Sequence, residues 1–361
     1  MKRYGKGLIV AGALLGTGVA SCADGKDSAS ATEIACPPTP PPPGMPSMPP
    51  IPMATSIKPS DTSSSTMIKP DPADQIKCGR TEIRNFDNVI FTEVPAPGGG
   101  NRPLALDMIK PAKSGRYPLV IYITGGGFVI APKENGLNLR RFVAEQGFVV
   151  ASVQYRTAMD GANYRDGIAD VKAAIRYLRA HADDYGIDPA HVSVWGESAG
   201  GYLAAMVGLT NGQKDFDQGS NADQSSAVEA VIDKFGTSDT SGVAEDFNPE
   251  MAMFAAPGSP IARYMTEGGQ TFPPASNALT HVGADSPRFL IFHGSQDRIV
   301  SPSQTLKLHE ALRAAGRQST RYVLDGAGHG DLAFAGDPAA GLPWSTNEAM
   351  DIIVRFLRES K

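Results

Sequence analysis

A serine enclosed by small residues is the first feature of the sequence that could do chemistry. Ser198 lies in the pentad GESAG (196–200), between the apolar run HVSVW and the run GYLAAMVGL. A sharp turn from a strand into a helix strains the backbone and requires small neighbours two residues away. Such a turn exposes the serine hydroxyl at the positive end of the helix. We therefore predict Ser198 to be a nucleophile; an inert glycine-rich turn is the alternative.

A serine hydroxyl becomes a nucleophile near neutral pH only with the help of a base and of an acid that orients the base. Asp297 follows the apolar run RFLIF within HGSQDRIV, and His329 follows TRYVL within DGAGHG. Both residues therefore come directly after predicted strands. We predict that His329 accepts the Ser198 proton and that Asp297 holds the imidazole in the correct tautomer.

Other titratable residues compete for these roles. Asp325 is the alternative acid, but it ends its own strand and is only four residues from His329. His293 ends the strand before Asp297, and we expect it to brace the loop that carries Asp297. Structural or solvent-exposed roles are expected for the other histidines, which are His181, His191, His281 and His309.

A carbonyl group under attack gains negative charge on its oxygen, and backbone N–H groups can stabilise that charge. The stretch YITGGGFV follows a predicted strand upstream of the serine. Its glycines let the main chain approach a substrate without an intervening Cβ. We predict that the N–H groups of Gly126, Gly127 and Ala199 form an oxyanion hole; a flexible glycine turn is the alternative.

These loops need a scaffold that brings them to one edge. Apolar runs rich in Val, Ile, Phe and Tyr predict strands, and they alternate with stretches of helical periodicity. One such helical face consists of Ile168, Val171, Ala174, Ile175 and Leu178. The alternation predicts an α/β fold, in which a mostly parallel twisted sheet carries helices on both faces. Ligands of such sheets bind at the carboxyl ends of the strands, where the motifs lie.

The N-terminus has the pattern of a secretory signal. Lys2, Arg3 and Lys6 precede the apolar run GLIVAGALLGTGVA, which is shorter than the roughly 20 residues of a transmembrane helix. The run ends in VASC, which resembles the lipobox of bacterial lipoproteins. We predict a signal peptide over 1–21, lipidation of Cys22 and attachment to a membrane of the bacterial cell envelope, on its periplasmic or surface face. A plain secreted protein is the alternative.

Composition divides the rest of the chain. We predict a Pro/Ser-rich disordered linker over 22–77, because proline has no N–H and favours extended conformations. A catalytic domain is predicted over 78–361, in which 237–285 is either a cap or pocket segment or an ordinary connection. Cys36 and Cys78 flank the linker, and they either pair in an oxidising compartment or remain free thiols. A bridge between them is expected to loop the linker outside the domain.

Charge and motifs also exclude several classes of function. The formal net charge of −5 gives no basic surface for nucleic acid. The sequence has no cluster with metal-ligand spacing, no phosphate loop and no dinucleotide fingerprint. We therefore predict no metal, no cofactor and no nucleic-acid partner.

Four motifs together carry a resemblance to a known family. YITGGGF, GESAGG, HGSQDRIVSPSQ and GAGHG resemble, in this order, the motifs of the α/β-hydrolase esterases, over roughly residues 80–361. The most similar groups are the hormone-sensitive-lipase-like and the bacterial feruloyl-esterase-like carboxylesterases. Members of the first group usually have a histidine before the three glycines, where this chain has Thr124.

The resemblance implies the α/β-hydrolase fold and a serine carboxylesterase that forms an acyl-enzyme. It implies a triad of Ser198, Asp297 and His329, with the three N–H donors named above, and a small-molecule or polysaccharide-linked ester as substrate. A triad does not distinguish esters from amides, so a peptidase or arylformamidase is one alternative. A catalytically silent surface scaffold is another, and the complete motif set favours an enzyme over it.

Overall fold

A computed structural model describes the chain from residue 33 to residue 359 with gaps. The described residues are 33–36, 57, 60–242, 246, 256–330 and 342–359. The predicted signal peptide, Cys22 and most of the predicted linker lie outside these residues, so the predictions made for them are not tested by the structure.

The bounds of the secondary-structure elements are as follows. The strands are β1 (Ile34–Ala35), β2 (Thr66–Ile68), β3 (Lys77–Cys78), β4 (Ile83–Pro95), β5 (Asn101–Pro111), β6 (Tyr117–Ile123), β7 (Val149–Val153), β8 (Ile187–Glu197), β9 (Ala230–Lys234), β10 (Arg288–Gly294) and β11 (Ser319–Leu324). The helices are α1 (Leu137–Glu145), α2 (Tyr164–Ala180), α3 (Ala182–Tyr185), α4 (Ala199–Leu209), α5 (Pro260–Thr266), α6 (Pro302–Ala314) and α7 (Asn347–Arg358). Short 3₁₀ helices are Ala158–Asp160, Lys214–Phe216, Pro274–Ser276, Ala278–His281 and Leu342–Ser345.

Within the described residues, nine strands form one sheet in the order β2-β11-β10-β9-β8-β6-β7-β5-β4. Neighbours from β2 through β7 in this order run parallel. The last two pairings, β7 with β5 and β5 with β4, are antiparallel, so β5 alone among these nine strands runs in the opposite direction. Every residue of β7 is buried, as expected of a strand covered on both faces. The predicted α/β-hydrolase fold is confirmed.

Helices cover both faces of this sheet. Successive residues of β6 alternate between two core clusters, so that Val120 lies in one and Ile121 in the other. Helices α2 and α4 contribute to the Ile121 cluster, and α1 and α7 contribute to the Val120 cluster. All five residues of the predicted face of α2 are fully buried. Asn163 begins this helix by accepting hydrogen bonds from the N–H groups of Arg165 and Asp166.

The sheet includes residues that the sequence analysis assigned to the linker. Strand β2 pairs in parallel with β11 and forms one edge of the sheet. Ile76 is buried in the core, and the neighbouring Gln75 forms an isolated bridge with Thr346. A strand of three residues is too short to show a period of two, so the sequence pattern did not indicate it. The strand forms because the edge of β11 can pair with it.

Cys36 and Cys78 form a disulfide. Strands β1 and β3 pair across it, and the side chain of Cys78 is fully buried in the core. The Glu145 carboxylate accepts hydrogen bonds from the N–H groups of Gly79 and Arg80. The bridge therefore joins the earlier segment to the domain core, and the expectation that it would lie outside the domain is wrong. The spacing of the cysteines could not show this, because it contains no information about what packs on Cys78.

Among the residues that the structure describes, no helix is both long enough and apolar enough to cross a bilayer.

Loss of the disulfide is expected to destabilise the domain. The bridge joins cysteines 42 residues apart, and a loop of this size typically contributes about 2–4 kcal/mol. We expect Cys36→Ser to lower the free energy of unfolding by about this amount in oxidising buffer, as measured by urea denaturation. Reductant should destabilise the wild type similarly and leave the variant unchanged. Equal stability of both proteins in both buffers would contradict this role of the bridge.

Candidate active site

The backbone turns sharply at Ser198, between β8 and α4. Its φ is 56° and its ψ is −119°, outside the conformations that a non-glycine residue normally adopts. The Ser198 N–H donates to the carbonyl oxygen of Lys234 at 2.9 Å, which holds the turn against β9. Such a conformation costs about 1–3 kcal/mol and persists only where the surroundings enforce it.

The glycines on either side of Ser198 are required by close backbone contacts. A Cβ at Gly196 would overlap the carbonyl oxygen of Gly200, and a Cβ at Gly200 would overlap the carbonyl oxygen of Ile123. The chain segments before and after the serine therefore pass each other with no room for a side chain. These contacts explain the cluster of small residues in the pentad.

The structure brings Ser198, Asp297 and His329 together in one line of hydrogen bonds. The His329 Nε2 lies 2.8 Å from the Ser198 Oγ, and the His329 Nδ1 lies 2.7 Å from the Asp297 Oδ2. Each residue follows a different strand of the parallel part of the sheet, namely β8, β10 and β11. The Ser198 side chain is half-buried, whereas the other two residues are buried.

The Asp297 carboxylate is surrounded by donors. Its Oδ1 accepts from the N–H groups of Ile299 and Val300, both at 2.9 Å, and its Oδ2 also lies 3.1 Å from the His293 Nε2. Burial by itself raises the pKa of Asp297, but attraction to His329 and hydrogen bonds from both imidazoles hold this pKa well below its ordinary value. The carboxylate is therefore ionised and accepts the Nδ1–H of His329.

Aromatic packing holds the His329 ring in place. The ring centroid lies 4.7 Å from that of Phe235, and the Phe235 ring packs edge-on against Trp344 at 4.8 Å. The Trp344 Nε1–H donates to the carbonyl oxygen of Gly328 at 3.3 Å. Neither aromatic residue was predicted from the sequence, because Phe235 and Trp344 contact the ring or each other from positions far apart in the chain.

An ion pair between a buried lysine and a half-buried glutamate lies next to the turn. The Lys234 ammonium pairs with the Glu197 carboxylate and is enclosed by the rings of Trp195, Phe235 and Trp344, whose centroids lie 4.9–5.8 Å away. Glu197 is the residue directly before Ser198. The pair therefore links the serine turn to the aromatic residues that pack around His329, and no sequence motif indicated it.

The glycine loop after β6 passes next to the serine. A Cβ at Gly125 would lie 3.2 Å from the Ser198 Cβ. Gly126 and Gly127 have φ values of 142° and 60°, which suit glycine. Among the described residues, no acceptor takes the N–H of Gly126, Gly127 or Ala199. These N–H groups are thus available to a ligand beside Ser198, and the oxyanion role remains a prediction.

A tyrosine from another part of the chain supports this loop at Thr124, the position at which related esterases usually have a histidine. Thr124 is buried, and its carbonyl oxygen accepts from the Tyr155 hydroxyl at 3.0 Å. Burial raises the pKa of Tyr155, so the hydroxyl remains a donor. In the same loop, Phe128 stacks on Tyr264 at 4.9 Å and packs edge-on against Tyr202 at 5.6 Å. Tyr155 lies at the end of a predicted strand, but its role could not be recognised from the sequence.

Where it is described, the segment 237–285 packs only partly against the core, and many of its residues are exposed. Tyr264 and Met265 of α5 are both buried. The neighbouring Ile261 points toward the glycine loop, and its Cδ1 lies 3.8 Å from the position that a Cβ would take at Gly127. Residues 243–245 and 247–255 of this segment lie outside the described residues, so whether it forms a cap or an ordinary connection is not tested there.

The competing candidates have partners away from the serine. Asp325 lies on the surface, 3.8 Å from Lys69. The histidines not discussed above pair with other groups: His181 with Asp184, His191 with Glu229, His281 with the Ala275 carbonyl, and His309 with Ser319 and the Ser64 carbonyl. Within the described ranges, no group of three His, Cys, Asp or Glu residues could hold a metal ion.

The close backbone contacts predict that a methyl group at position 196 is not tolerated. Gly196→Ala must displace the Gly200 carbonyl, so we expect it to lower the free energy of unfolding by about 1–3 kcal/mol or more. Gly283→Ala is the matched control, because a Cβ there meets nothing within 4 Å. Urea denaturation of both variants measures the difference. Equal stability of the two variants would show that the turn can relax.

The sequence of this chain is similar to those of known esterases. The family model described as BD-FAE matches residues 106–312. Esterase LipC of Mycobacterium tuberculosis is 31% identical over 258 residues, which make up 69% of this chain and 62% of LipC. The chain spans less than two thirds of the length of the first curated relatives that it matches.

Solved structures share the fold. Butyrate-bound Est2 of the Planctomycetes species Thermogutta terrifontis has 25% identity and a TM-score of 0.59, over 77% of this chain and 94% of Est2. A bifunctional GH43-CE protein of Bacteroides eggerthii has 26% identity and a TM-score of 0.63, over 76% of this chain and 38% of that chain. The family model covers more than half of the chain, including Ser198 and Asp297. The chain therefore belongs to the BD-FAE family and has the α/β-hydrolase fold.

Proposed function

We propose that this protein is a serine carboxylesterase that hydrolyses esters through an acyl-enzyme. The observation that carries the proposal is the line of hydrogen bonds from Ser198 through His329 to Asp297. The esterase LipC and the butyrate-bound Est2 support it, since both resemble this chain over most of its length.

The first half-reaction transfers the acyl group to the serine. The Ser198 Oγ attacks the carbonyl carbon while the His329 Nε2, at 2.8 Å, takes the hydroxyl proton. Asp297 accepts the Nδ1–H and stabilises the imidazolium that forms. His329 then gives the proton to the leaving alcohol oxygen as the ester bond breaks. In the second half-reaction, His329 takes a proton from water while the water oxygen attacks the acyl carbon. His329 then returns this proton to the Ser198 Oγ as the bond between that oxygen and the acyl carbon breaks, and the acid leaves.

Hydrogen bonds from the N–H groups of Gly126, Gly127 and Ala199 stabilise the negative charge that develops on the carbonyl oxygen. One such donor is typically worth about 2.7–4 kcal/mol of the barrier. Ala199 is the first residue of α4, so the positive end of this helix adds to the stabilisation. The positive φ values of the two glycines turn the loop, and their N–H groups are available for this purpose.

The substrate that we propose is a small-molecule or polysaccharide-linked ester. Est2 was solved with butyrate bound, which supports an acyl group of this size. Ile261 faces the glycine loop at Gly127, and a side chain at this place restricts the room beside the oxyanion donors. Amides remain the alternative substrates.

Replacement of the nucleophile tests the proposal. We expect Ser198→Ala to lower kcat/KM for p-nitrophenyl acetate by at least about 10³-fold with an unchanged melting temperature. A fluorophosphonate probe should label the wild type and leave the variant unlabelled. Substantial activity in the variant would refute the assignment, and failure of the probe to label the folded wild type would favour a silent scaffold. Faster cleavage of anilide than of ester substrates would favour an amidase.

We also propose that Cys22 carries lipid and holds the protein in the bacterial cell envelope. The basic residues, the short apolar run and the sequence VASC support this proposal. Acyl chains on one cysteine attach a protein to a membrane without a spanning helix.

Detergent partitioning tests the lipid. After expression in a bacterium, we expect the wild type to enter the detergent phase and Cys22→Ala to enter the aqueous phase. Cys36→Ala is the matched control and should stay in the detergent phase, because Cys36 belongs to the disulfide. A wild type that partitions into the aqueous phase would favour a plain secreted protein.

A further inference from the structure

A second imidazole contacts the same carboxylate oxygen as His329. His293 ends β10 and is fully buried, and its Nε2 lies 3.1 Å from the Asp297 Oδ2 and 3.0 Å from the Val300 carbonyl oxygen. His329 reaches the Asp297 Oδ2 at 2.7 Å from the other side. With the two backbone N–H groups on Oδ1, each oxygen of Asp297 has two donors, which fill the acceptor capacity of a carboxylate.

The partners of His293 assign its protonated nitrogen. Both groups that face Nε2, a carboxylate and a carbonyl, can only accept, so Nε2 carries the hydrogen. The Nδ1 lies 2.8 Å from the Thr305 Oγ1, and that oxygen accepts from the Arg321 Nε at 3.1 Å. The Thr305 Oγ1 also lies 3.4 Å from the Pro302 carbonyl oxygen, but Nδ1 is the closer acceptor, so we assign the hydroxyl hydrogen to Nδ1.

The charge state of His293 follows from the same surroundings. The charged groups that face it are Asp297 and Arg321, and His329 lies across the shared carboxylate. Burial lowers the pKa of His293, and the nearby Arg321 charge acts in the same direction against the attraction of Asp297. A neutral ring with its hydrogen on Nε2 fits the three contacts, with Asp297, Val300 and Thr305.

We propose that His293 is a positioning residue that acts on the reaction through Asp297. This role rests on the esterase function proposed above. The hydrogen-bonded series Arg321–Thr305–His293 fixes an N–H donor on the Asp297 Oδ2. This donor holds the carboxylate plane, so that Oδ2 stays aligned with the Nδ1–H of His329. It also keeps the carboxylate a weak base, which accepts the hydrogen bond without taking the proton.

Three variants separate this role from simple packing. His293→Leu keeps much of the side-chain volume and removes the hydrogen bonds of both ring nitrogens. His293→Gln retains an N–H near the position of Nε2. Thr305→Val removes the partner that sets the tautomer. His309→Leu is the matched control, because His309 is also buried and hydrogen-bonded at both ring nitrogens, to Ser319 and Ser64.

The expected result is a loss in kcat rather than in KM. Misalignment of a catalytic group by about 1 Å costs up to about 10²-fold, so we expect His293→Leu to lower kcat for p-nitrophenyl acetate by about 10–100-fold, with KM within about twofold. His293→Gln should recover most of this loss, and Thr305→Val should show a smaller one. His309→Leu should lower the melting temperature while kcat stays at the wild-type value.

A proton resonance gives a readout that packing alone would not change. The Nδ1–H of His329, bonded to Asp297, should give a far-downfield NMR signal that is absent in His329→Ala. We expect this signal to shift or broaden in His293→Leu and to return in His293→Gln. An unchanged signal with wild-type kcat in a folded His293→Leu protein would overturn the proposal, as would equal losses of kcat in the Leu and Gln variants.

The same measurements distinguish failure of this inference from failure of the proposed function. An inactive wild type with no probe labelling would refute the esterase, and the downfield signal would still report whether His293 positions Asp297. If His293→Leu does not fold, His293→Gln and Thr305→Val decide the outcome. If Thr305→Val has the wild-type signal and the wild-type kcat, Thr305 does not set the tautomer of His293 that the proposal requires.

Discussion

Ser198 holds a backbone conformation that other parts of the chain must enforce. The turn exists because Gly196, Gly200 and Ile123 bring their main chains together with no space for a Cβ, and because β9 accepts the Ser198 N–H. Strain of about 1–3 kcal/mol is thereby held in one residue. The helix that follows begins directly at the strained residue, so one constraint fixes both the hydroxyl and the donor end of α4.

The end of β9 carries this constraint to the base. Lys234 provides the carbonyl oxygen that binds the serine N–H, and its ammonium pairs with Glu197 among aromatic rings. The next residue, Phe235, packs on the His329 ring. A single dipeptide therefore contacts the segments of both the nucleophile and the base. A buried ion pair costs desolvation, and the surrounding rings and the salt partner offset part of this cost.

The sequence predicted the features that depend on local rules. The strand-end positions of Asp297 and His329, and the pentad around Ser198, followed from turn chemistry and from the edge at which parallel strands end. The residues that hold them, such as Lys234 and Tyr155, contact partners far away in the chain, so no spacing reveals them. Strand β2 was missed because three residues are too few to show a period. The cysteine pairing stayed open because spacing does not determine connectivity.

The disulfide also sets the reach of the domain in the proposed lipid-anchored protein. A fully extended chain spans about 3.3–3.6 Å per residue, so the 44-residue path from Cys22 to Thr66, where β2 joins the sheet, would allow about 150 Å. The bridge shortens the covalent path, because it runs through Cys36 and allows only about 50 Å. The proline-rich stretch between the two bridged cysteines then adds nothing to the length of chain between the lipidated cysteine and the domain. In a lipid-anchored protein, the point at which the domain is attached, Cys36, would therefore stay within about 50 Å of the bilayer surface.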